Sequence, residues 1–190
     1  MYFNSPGSKN SEETIKIAIT KAKERQISHI VAASNTGATA FALAEEKQKQ
    51  GFEGQLVCVS HVYGFVTKGI NELSDENREK LEQLGIKVCT AAHVLSGAER
   101  GLSQKFHGVY PVEIIAHTLR MMGQGTKVCV EIAVMALDAG LVPLGKPIVT
   151  IGGSDRGADT SLILTPSNAS SIMDTKIHEF LCKPLLHTER

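Results

Sequence analysis

The feature that most constrains this fold is the segment of residues 27–42, ISHIVAASNTGATAFA, where an apolar run leads through small residues into a helix-forming stretch. Residues 27–33 have the β-branched and apolar character of a strand, and the residues from Ala38 onward have the spacing of an amphipathic helix. Gly37 permits a tight backbone turn between the two. The segment therefore predicts a strand, a short turn and a helix, as in an α/β domain.

The turn has two interpretations. The first backbone N–H groups of a helix lack partners within it, and the helix dipole adds partial positive charge there, so a phosphate binds readily. Short side chains and open backbone for such a phosphate are offered by Ser34, Asn35, Thr36, Gly37 and Thr39. Alternatively, Thr36 or Asn35 is an ordinary helix cap. The residues alone leave both open, because the segment is neither a Walker loop nor a complete GxGxxG fingerprint.

Charge and hydropathy argue against several classes of partner. The 20 Lys and Arg residues cancel the 20 Asp and Glu residues, and no basic block occurs, so nucleic acid is not an expected partner. No apolar run approaches the roughly 20 residues that span a bilayer, and residues 1–10 lack the features of a signal peptide. We therefore expect no membrane partner and a cytoplasmic location. The length suits one domain, residues 1–190.

The cysteines are widely spaced and form no CxxC pair: Cys58, Cys89, Cys129 and Cys182. A structural zinc site needs closely spaced ligand pairs, so we predict reduced core residues and no metal site.

Two further predicted strands end in histidines. His61 follows residues 55–60, and His93 follows residues 86–90. An aromatic segment comes after the first of them: Tyr63, Gly64 and Phe65. We expect this segment to pack against the middle or ring portion of a ligand. Because the carboxyl ends of parallel strands meet at one sheet edge, both histidines are candidates for ligand contacts or acid–base groups, the alternative being histidines bonded to backbone. The others show no such pattern: His29, His107, His117, His178 and His187.

The second half of the chain predicts a helix and then two strands. Residues 127–139 are apolar almost all round and predict a buried helix or an oligomer interface, so we expect a homo-oligomer. Residues 147–151 and 161–165 read as antiparallel strands on either side of a glycine-rich turn, and residues 171–181 as a short helix. For residues 93–110 we expect a loop with broken helix and assign no detailed structure.

Four charged side chains in this half each have two interpretations. Glu131 and Asp138 lie seven residues apart on the apolar helix and face a site or an oligomer interface, or else form a solvated or salt-bridged edge. Arg100 and Arg120 are either clamps for phosphate or carboxylate groups, or members of surface salt bridges.

Five motifs together resemble one family: ASNTGATA, VSHVYGF, HVLSGAER, KVCVEIAVMALDAG and IGGSDRGADTS. They are similar to the C-terminal domain of pyruvate kinase and, more closely, to stand-alone pyruvate kinase alpha/beta domain proteins, over most of residues 1–184. The resemblance implies a three-layer α/β/α fold with a mixed five-stranded sheet whose last strand is antiparallel.

The resemblance also implies a ligand. In pyruvate kinases regulated by a sugar bisphosphate, the corresponding first turn holds a phosphate and the glycine-rich loop closes over it. The stand-alone family is associated with flavin mononucleotide (FMN). Applied to this sequence, the resemblance implies that the phosphate is bound by the residues of the 34–39 turn given above. It also implies that the opposing loop consists of Gly152, Gly153, Asp155, Gly157, Asp159 and Thr160. The two aspartates suit a sugar hydroxyl, a ribityl chain or a metal better than a second phosphate.

Pyruvate kinase chemistry resides in a separate barrel domain larger than this chain, so we expect no such activity. The expected function is binding of a phosphorylated small molecule, FMN by resemblance, with no catalytic residue identified. The alternative is a small flavin-dependent or hydrolytic enzyme that uses His61 or His93.

Overall fold

A computed structural model describes residues 1–185 and places a mixed β-sheet between two layers of helices. His187 lies outside the described residues. In chain order the elements are β1 (Tyr2–Phe3), α1 (Ser11–Glu24), β2 (His29–Ala33), α2 (Ala38–Gln50), β3 (Gln55–Ser60), α3 (Asp75–Gln83), β4 (Lys87–Thr90), α4 (Ala98–Phe106), α5 (Pro111–Arg120), α6 (Gln124–Asp138), β5 (Ile148–Gly152), β6 (Thr160–Thr165) and β7 (Lys176–Pro184).

The sheet has the strand order β1-β7-β6-β5-β2-β3-β4. Strands β5, β2, β3 and β4 are parallel, with Ile30 opposite Val149 and Ala32 opposite Cys58. Strand β6 is antiparallel to β5, as predicted. The carboxyl ends of the four parallel strands therefore share one edge of the sheet, and the segments that follow them open there.

The prediction of an α/β fold with a mixed sheet is confirmed, but the prediction of five strands is wrong. Within residues 1–185 the sheet has seven strands, because β7 and β1 extend it beyond β6. Of the segment predicted as a helix, residues 171–181, the second half lies in strand β7, and its beginning lies in a short 3-10 helix, Ala169–Asp174. Ile177, Phe180 and Leu181 have the spacing of a helix face, but backbone pairing with β6 decides the conformation.

Each face of the sheet carries its own apolar core. One core joins α1, α2 and α3 to the sheet through residues such as Ile15, Leu43 and Leu81. The other joins α6 to the opposite face, with Leu119 of α5 packed against it. Helix α6 is apolar all round because it is buried within this chain, which removes the reason for expecting an oligomer; the oligomer itself stays a prediction.

Burial also accounts for the cysteines. All four are free and buried, as predicted. Burial raises the pKa of the Cys58 thiol to about 12 and that of Cys182 to about 11, so these side chains are uncharged core residues. In residues 1–185 no group of three or more His, Cys, Asp or Glu side chains is arranged to hold a metal ion. Over the same range, none of the helices is both long and apolar enough to cross a lipid bilayer.

Candidate functional site

A cavity of about 790 Å³ opens at the carboxyl edge of the parallel strands. Residues from separate parts of the sequence line it: the turn after β2, His61 after β3, His93 after β4, the loop after β5, and the first half of α6. The fold therefore brings both glycine-containing turns and both histidines to one place. We refer to this space as the main chamber.

The turn between β2 and α2 presents unpaired backbone donors to the main chamber. Gly37, with φ +98°, precedes α2 in the left-handed region, and no side chain in the turn caps the helix in the way predicted for Thr36 or Asn35. Instead, Ser34 Oγ accepts a hydrogen bond from the Ala40 N–H at 3.3 Å. The N–H groups of residues 35–39 donate to no residue between 1 and 185. They are free to bind an anion.

The two histidines form an aromatic cluster with Phe65. The ring centroid of Phe65 lies 4.1 Å from that of His61 and 5.1 Å from that of His93. His61 Nδ1 lies 2.5 Å from Glu72 Oε2, which fixes the orientation of the His61 ring. The cluster combines a flat apolar surface with one imidazole held by a carboxylate.

His93 is held differently. Its Nε2 accepts a hydrogen bond from the Val62 N–H at 3.2 Å, so the proton of the neutral ring is on Nδ1, where Ser96 Oγ lies at 3.4 Å. Burial lowers the pKa of His93, and the nearby Glu131 carboxylate opposes that effect only in part. The geometry and the pKa both favour a neutral His93.

A buried ion pair forms the floor of the chamber on α6. Lys127 Nζ donates to Glu131 Oε2, and Glu131 Oε1 accepts the Leu95 N–H at 3.0 Å. Burial lowers the pKa of Lys127, and Glu131 opposes the effect. Arg100, Arg120 and Arg156 add further positive charge to the walls. Lys127 was not predicted as a site residue. Its position four residues before Glu131 in an apolar helix could have indicated an ion pair, because side chains four residues apart are neighbours on a helix.

The family model for the pyruvate kinase alpha/beta domain matches residues 12–164. The chain belongs to this family. It is also similar to two solved structures of pyruvate kinase from Cryptosporidium parvum. The first, in complex with ADP, is 12% identical with a TM-score of 0.39 and covers 85% of this chain and 24% of that one. The second is 10% identical with a TM-score of 0.38 and covers 89% and 22%. This chain thus spans about a quarter of the length of those enzymes.

In this pyruvate kinase alpha/beta domain, ten of the residues singled out from the sequence line the main chamber: Ser34, Asn35, Thr36, Thr39, His61, Phe65, His93, Gly153, Asp155 and Gly157. Arg100, Arg120 and Glu131, weighed separately, also line it. Other polar lining residues were not singled out from the sequence, among them Glu72, Ser96, Gln124, Lys127, Ser154 and Arg156. Ser96, Lys127, Ser154 and Arg156 lie within the quoted motifs but were given no role there, whereas Glu72 and Gln124 lie outside those motifs and reach the chamber through tertiary packing.

Other residues from the predicted set shape the site without lining it. Asp159 is fully buried; its Oδ2 accepts the N–H groups of Gly7 and Ser154, and its Oδ1 accepts the Thr160 hydroxyl. The acidity inferred for this loop therefore comes from Asp155 alone, because Asp159 is occupied by the protein. Gly153, which does line the chamber, also shapes this loop: a Cβ there would lie 2.2 Å from the Gly157 carbonyl oxygen, so the loop requires glycine.

The remaining predicted site residues do not line the main chamber. Gly152 is buried in β5 against α6. A Cβ at Gly37 would contact Phe41 and Leu73 at 3.1 and 3.3 Å, so this glycine serves the turn conformation. Tyr63 is 62% exposed and its hydroxyl donates to the Gly69 carbonyl oxygen at 2.7 Å, while Gly64 has φ +80° in the same loop.

The lowered pKa of His93 predicts an acid-sensitive fold. Between its folded pKa and the unfolded value of about 6.5, the unfolded chain binds more protons, so the free energy of unfolding falls as the pH drops below about 6.5. Urea denaturation at pH 5.5 and 7.5 is expected to show a smaller decline in His93→Gln than in the wild type. The decline persists in part because burial also lowers the pKa of His29. Identical declines in both proteins would contradict the account of His93.

Proposed function

We propose that this protein binds a phosphorylated small molecule in the main chamber and that FMN is its best-supported ligand. The observation that carries the proposal is the convergence of unpaired N–H groups, an aromatic cluster and the 152–160 loop on one cavity. The resemblance of the five motifs to stand-alone pyruvate kinase alpha/beta domain proteins, which are associated with FMN, also supports this choice of ligand. The proposal includes a cytoplasmic location and no pyruvate kinase chemistry in these residues.

The phosphate is proposed to bind at residues 35–39. Helix α2 has 13 residues, so its dipole adds partial positive charge to the unpaired N–H groups at its beginning. Thr39 and Ser34 line the same wall of the chamber, and Arg156 lies in the loop that borders it. Together these groups supply donors and positive charge without a competing carboxylate from the turn itself.

The rest of FMN is proposed to lie across the chamber. Phe65 is 43% exposed and, with His61 and His93, gives a flat ring a surface to pack on. Asp155 and Ser11 are available to the ribityl hydroxyls. A volume of about 790 Å³ is within the usual range for cofactor sites, so the residues fit the group. When bound, FMN supplies redox chemistry that the amino acids lack.

A neighbouring pair of aromatic residues provides a matched test of the ring position. Phe65→Ala is expected to weaken FMN binding about tenfold, since an aromatic pair contributes about 1 kcal/mol or more beyond burial. Tyr63→Ala is expected to leave the affinity unchanged, because that side chain lies outside the chamber. Affinities are measured by titration of flavin fluorescence. Equal effects of the two changes would contradict the ring position, and absence of FMN binding to the wild type would overturn the proposed function.

One observation favours a second candidate function, an FMN-dependent or hydrolytic enzyme. The contact between His61 Nδ1 and Glu72 Oε2 holds the imidazole in a fixed orientation, as general acid–base catalysis requires. His93 is less suited to this role because its Nε2 already accepts a backbone hydrogen bond. A turnover that disappears in His61→Gln while FMN affinity is retained would distinguish the enzyme from a binding module.

A further inference from the structure

A second chamber of about 550 Å³ adjoins the main chamber, between α4, α5 and the loop after β5. Its own lining is mostly polar and includes Ser103, Gln104, Glu113 and His117. The two chambers share five lining residues: Ser96, Arg100, Arg120, Gln124 and Ser154. The two chambers are therefore neighbours, and a mononucleotide in the main chamber leaves the second one unused.

The junction between the chambers carries positive charge without a counter-charge. Neither Arg100 nor Arg120 forms a salt bridge with any carboxylate of residues 1–185. Arg120 Nε donates to the neutral Gln124 side chain at 2.8 Å, and the Arg100 guanidinium donates to no residue in that range. Of the nearby carboxylates, Glu131 is paired with Lys127 and Glu113 accepts the Ser103 hydroxyl.

The positive field at this junction reaches other groups of the site. Burial is the main cause of the lowered pKa of Lys127, and the positive charges of Arg120 and Arg100 add to it. Two unpaired guanidinium groups at the junction of the two chambers suit a phosphate, because each guanidinium can donate several charge-assisted hydrogen bonds to it.

The position of the junction relates it to the proposed phosphate site. Ser154 belongs to the loop that faces residues 35–39 across the main chamber, and it also lines the second chamber. If a phosphate binds between residues 35–39 and this loop, a group attached to it can extend along Ser154 towards Arg100 and Arg120. Beyond them, Glu113, Gln104 and His117 offer partners for the hydroxyl groups of a sugar.

We propose that the ligand is a pyrophosphate-linked dinucleotide, with its second phosphate between Arg100 and Arg120 and its second nucleoside in the chamber between α4 and α5. This inference rests on the proposed function, since it places the first phosphate at residues 35–39. It extends the proposed ligand from a mononucleotide to a molecule that contains the same first phosphate and also fills the second chamber.

FMN and flavin adenine dinucleotide (FAD) are suitable probes because FAD is FMN extended by an adenylate group. Calorimetric titration of the wild type is expected to give at least tenfold tighter binding of FAD than of FMN. Arg100→Met and Arg120→Met are expected to remove most of that advantage, because each weakens FAD binding much more than FMN binding. The matched control is Arg156→Met, in the main chamber only, which is expected to weaken both flavins by the same factor. Unchanged thermal unfolding confirms that each variant is folded.

The outcomes separate the two proposals. FAD binding no tighter than FMN binding overturns the dinucleotide inference. So does tighter binding of FAD that persists when both arginines are replaced. In either case, binding of FMN leaves the proposed function intact. If neither flavin binds, the proposed function fails and the inference fails with it. Binding of FAD alone, dependent on both arginines, supports the inference and excludes the mononucleotide.

Discussion

Replacing Glu131 by alanine is expected to lower the free energy of unfolding by about 3–5 kcal/mol, the usual cost of removing one partner from a buried ion pair. The side chains of Lys127 and Glu131 are only 5% and 7% exposed. The change leaves the Lys127 ammonium buried without its counter-charge and removes the acceptor of the Leu95 N–H. Urea denaturation at neutral pH measures the loss.

The control is the double variant Lys127→Met/Glu131→Leu, which removes both charges and preserves volume. It is expected to recover most of the stability lost in Glu131→Ala, because an apolar pair leaves no uncompensated charge. A loss below about 1 kcal/mol for Glu131→Ala would contradict the burial of this pair, since exposed ion pairs contribute no more than that.

Local sequence signals predicted the elements that depend on local structure. The 27–42 segment combines a β-branched run, a small-residue turn and a helix-forming stretch, and the structure has β2, the turn and α2 there. The antiparallel pair β5 and β6 was predictable because a short glycine-rich turn joins two apolar runs. In both cases the interacting residues are close in sequence.

The parts that sequence reasoning missed depend on tertiary contacts. Strand β7 forms because β6 offers a backbone edge, while the apolar spacing of its own residues is typical of a helix. At the site, Glu72 contacts His61 from eleven residues away, and Lys127 reaches the chamber from α6. Asp159 shares the glycine-rich loop with Asp155, but only the structure distinguishes the buried carboxylate that holds the loop from the one that lines the cavity.

Thr39→Asp is expected to weaken FMN binding at least a hundredfold while the fold becomes no less stable. Thr39 lies in the first turn of α2 and lines the main chamber. A carboxylate there interacts favourably with the helix dipole, by about 0.3–1 kcal/mol. The same carboxylate repels a phosphate about 5 Å away by about 3 kcal/mol per unit charge at an effective dielectric constant near 20, and each 1.4 kcal/mol is a factor of ten in affinity.

Thr39→Asp is thus expected to weaken FMN binding without destabilising the fold, so a loss of binding caused by unfolding can be recognised. The matched control, Thr39→Asn, has nearly the same shape without the charge and is expected to bind FMN within about fivefold of the wild type. Thermal unfolding of both variants is compared with that of the wild type. A Thr39→Asp protein that binds FMN normally would place the phosphate elsewhere in the cleft.

The phosphate site at residues 35–39 is tested by calorimetric titration of the wild type and Thr39→Asp with FMN and with riboflavin, which lacks only the phosphate. We expect the wild type to bind FMN at least a hundredfold more tightly than riboflavin, because the unpaired N–H groups of residues 35–39 hold the phosphate. We also expect Thr39→Asp to remove this difference. Equal affinities of the wild type for FMN and riboflavin would contradict the phosphate site.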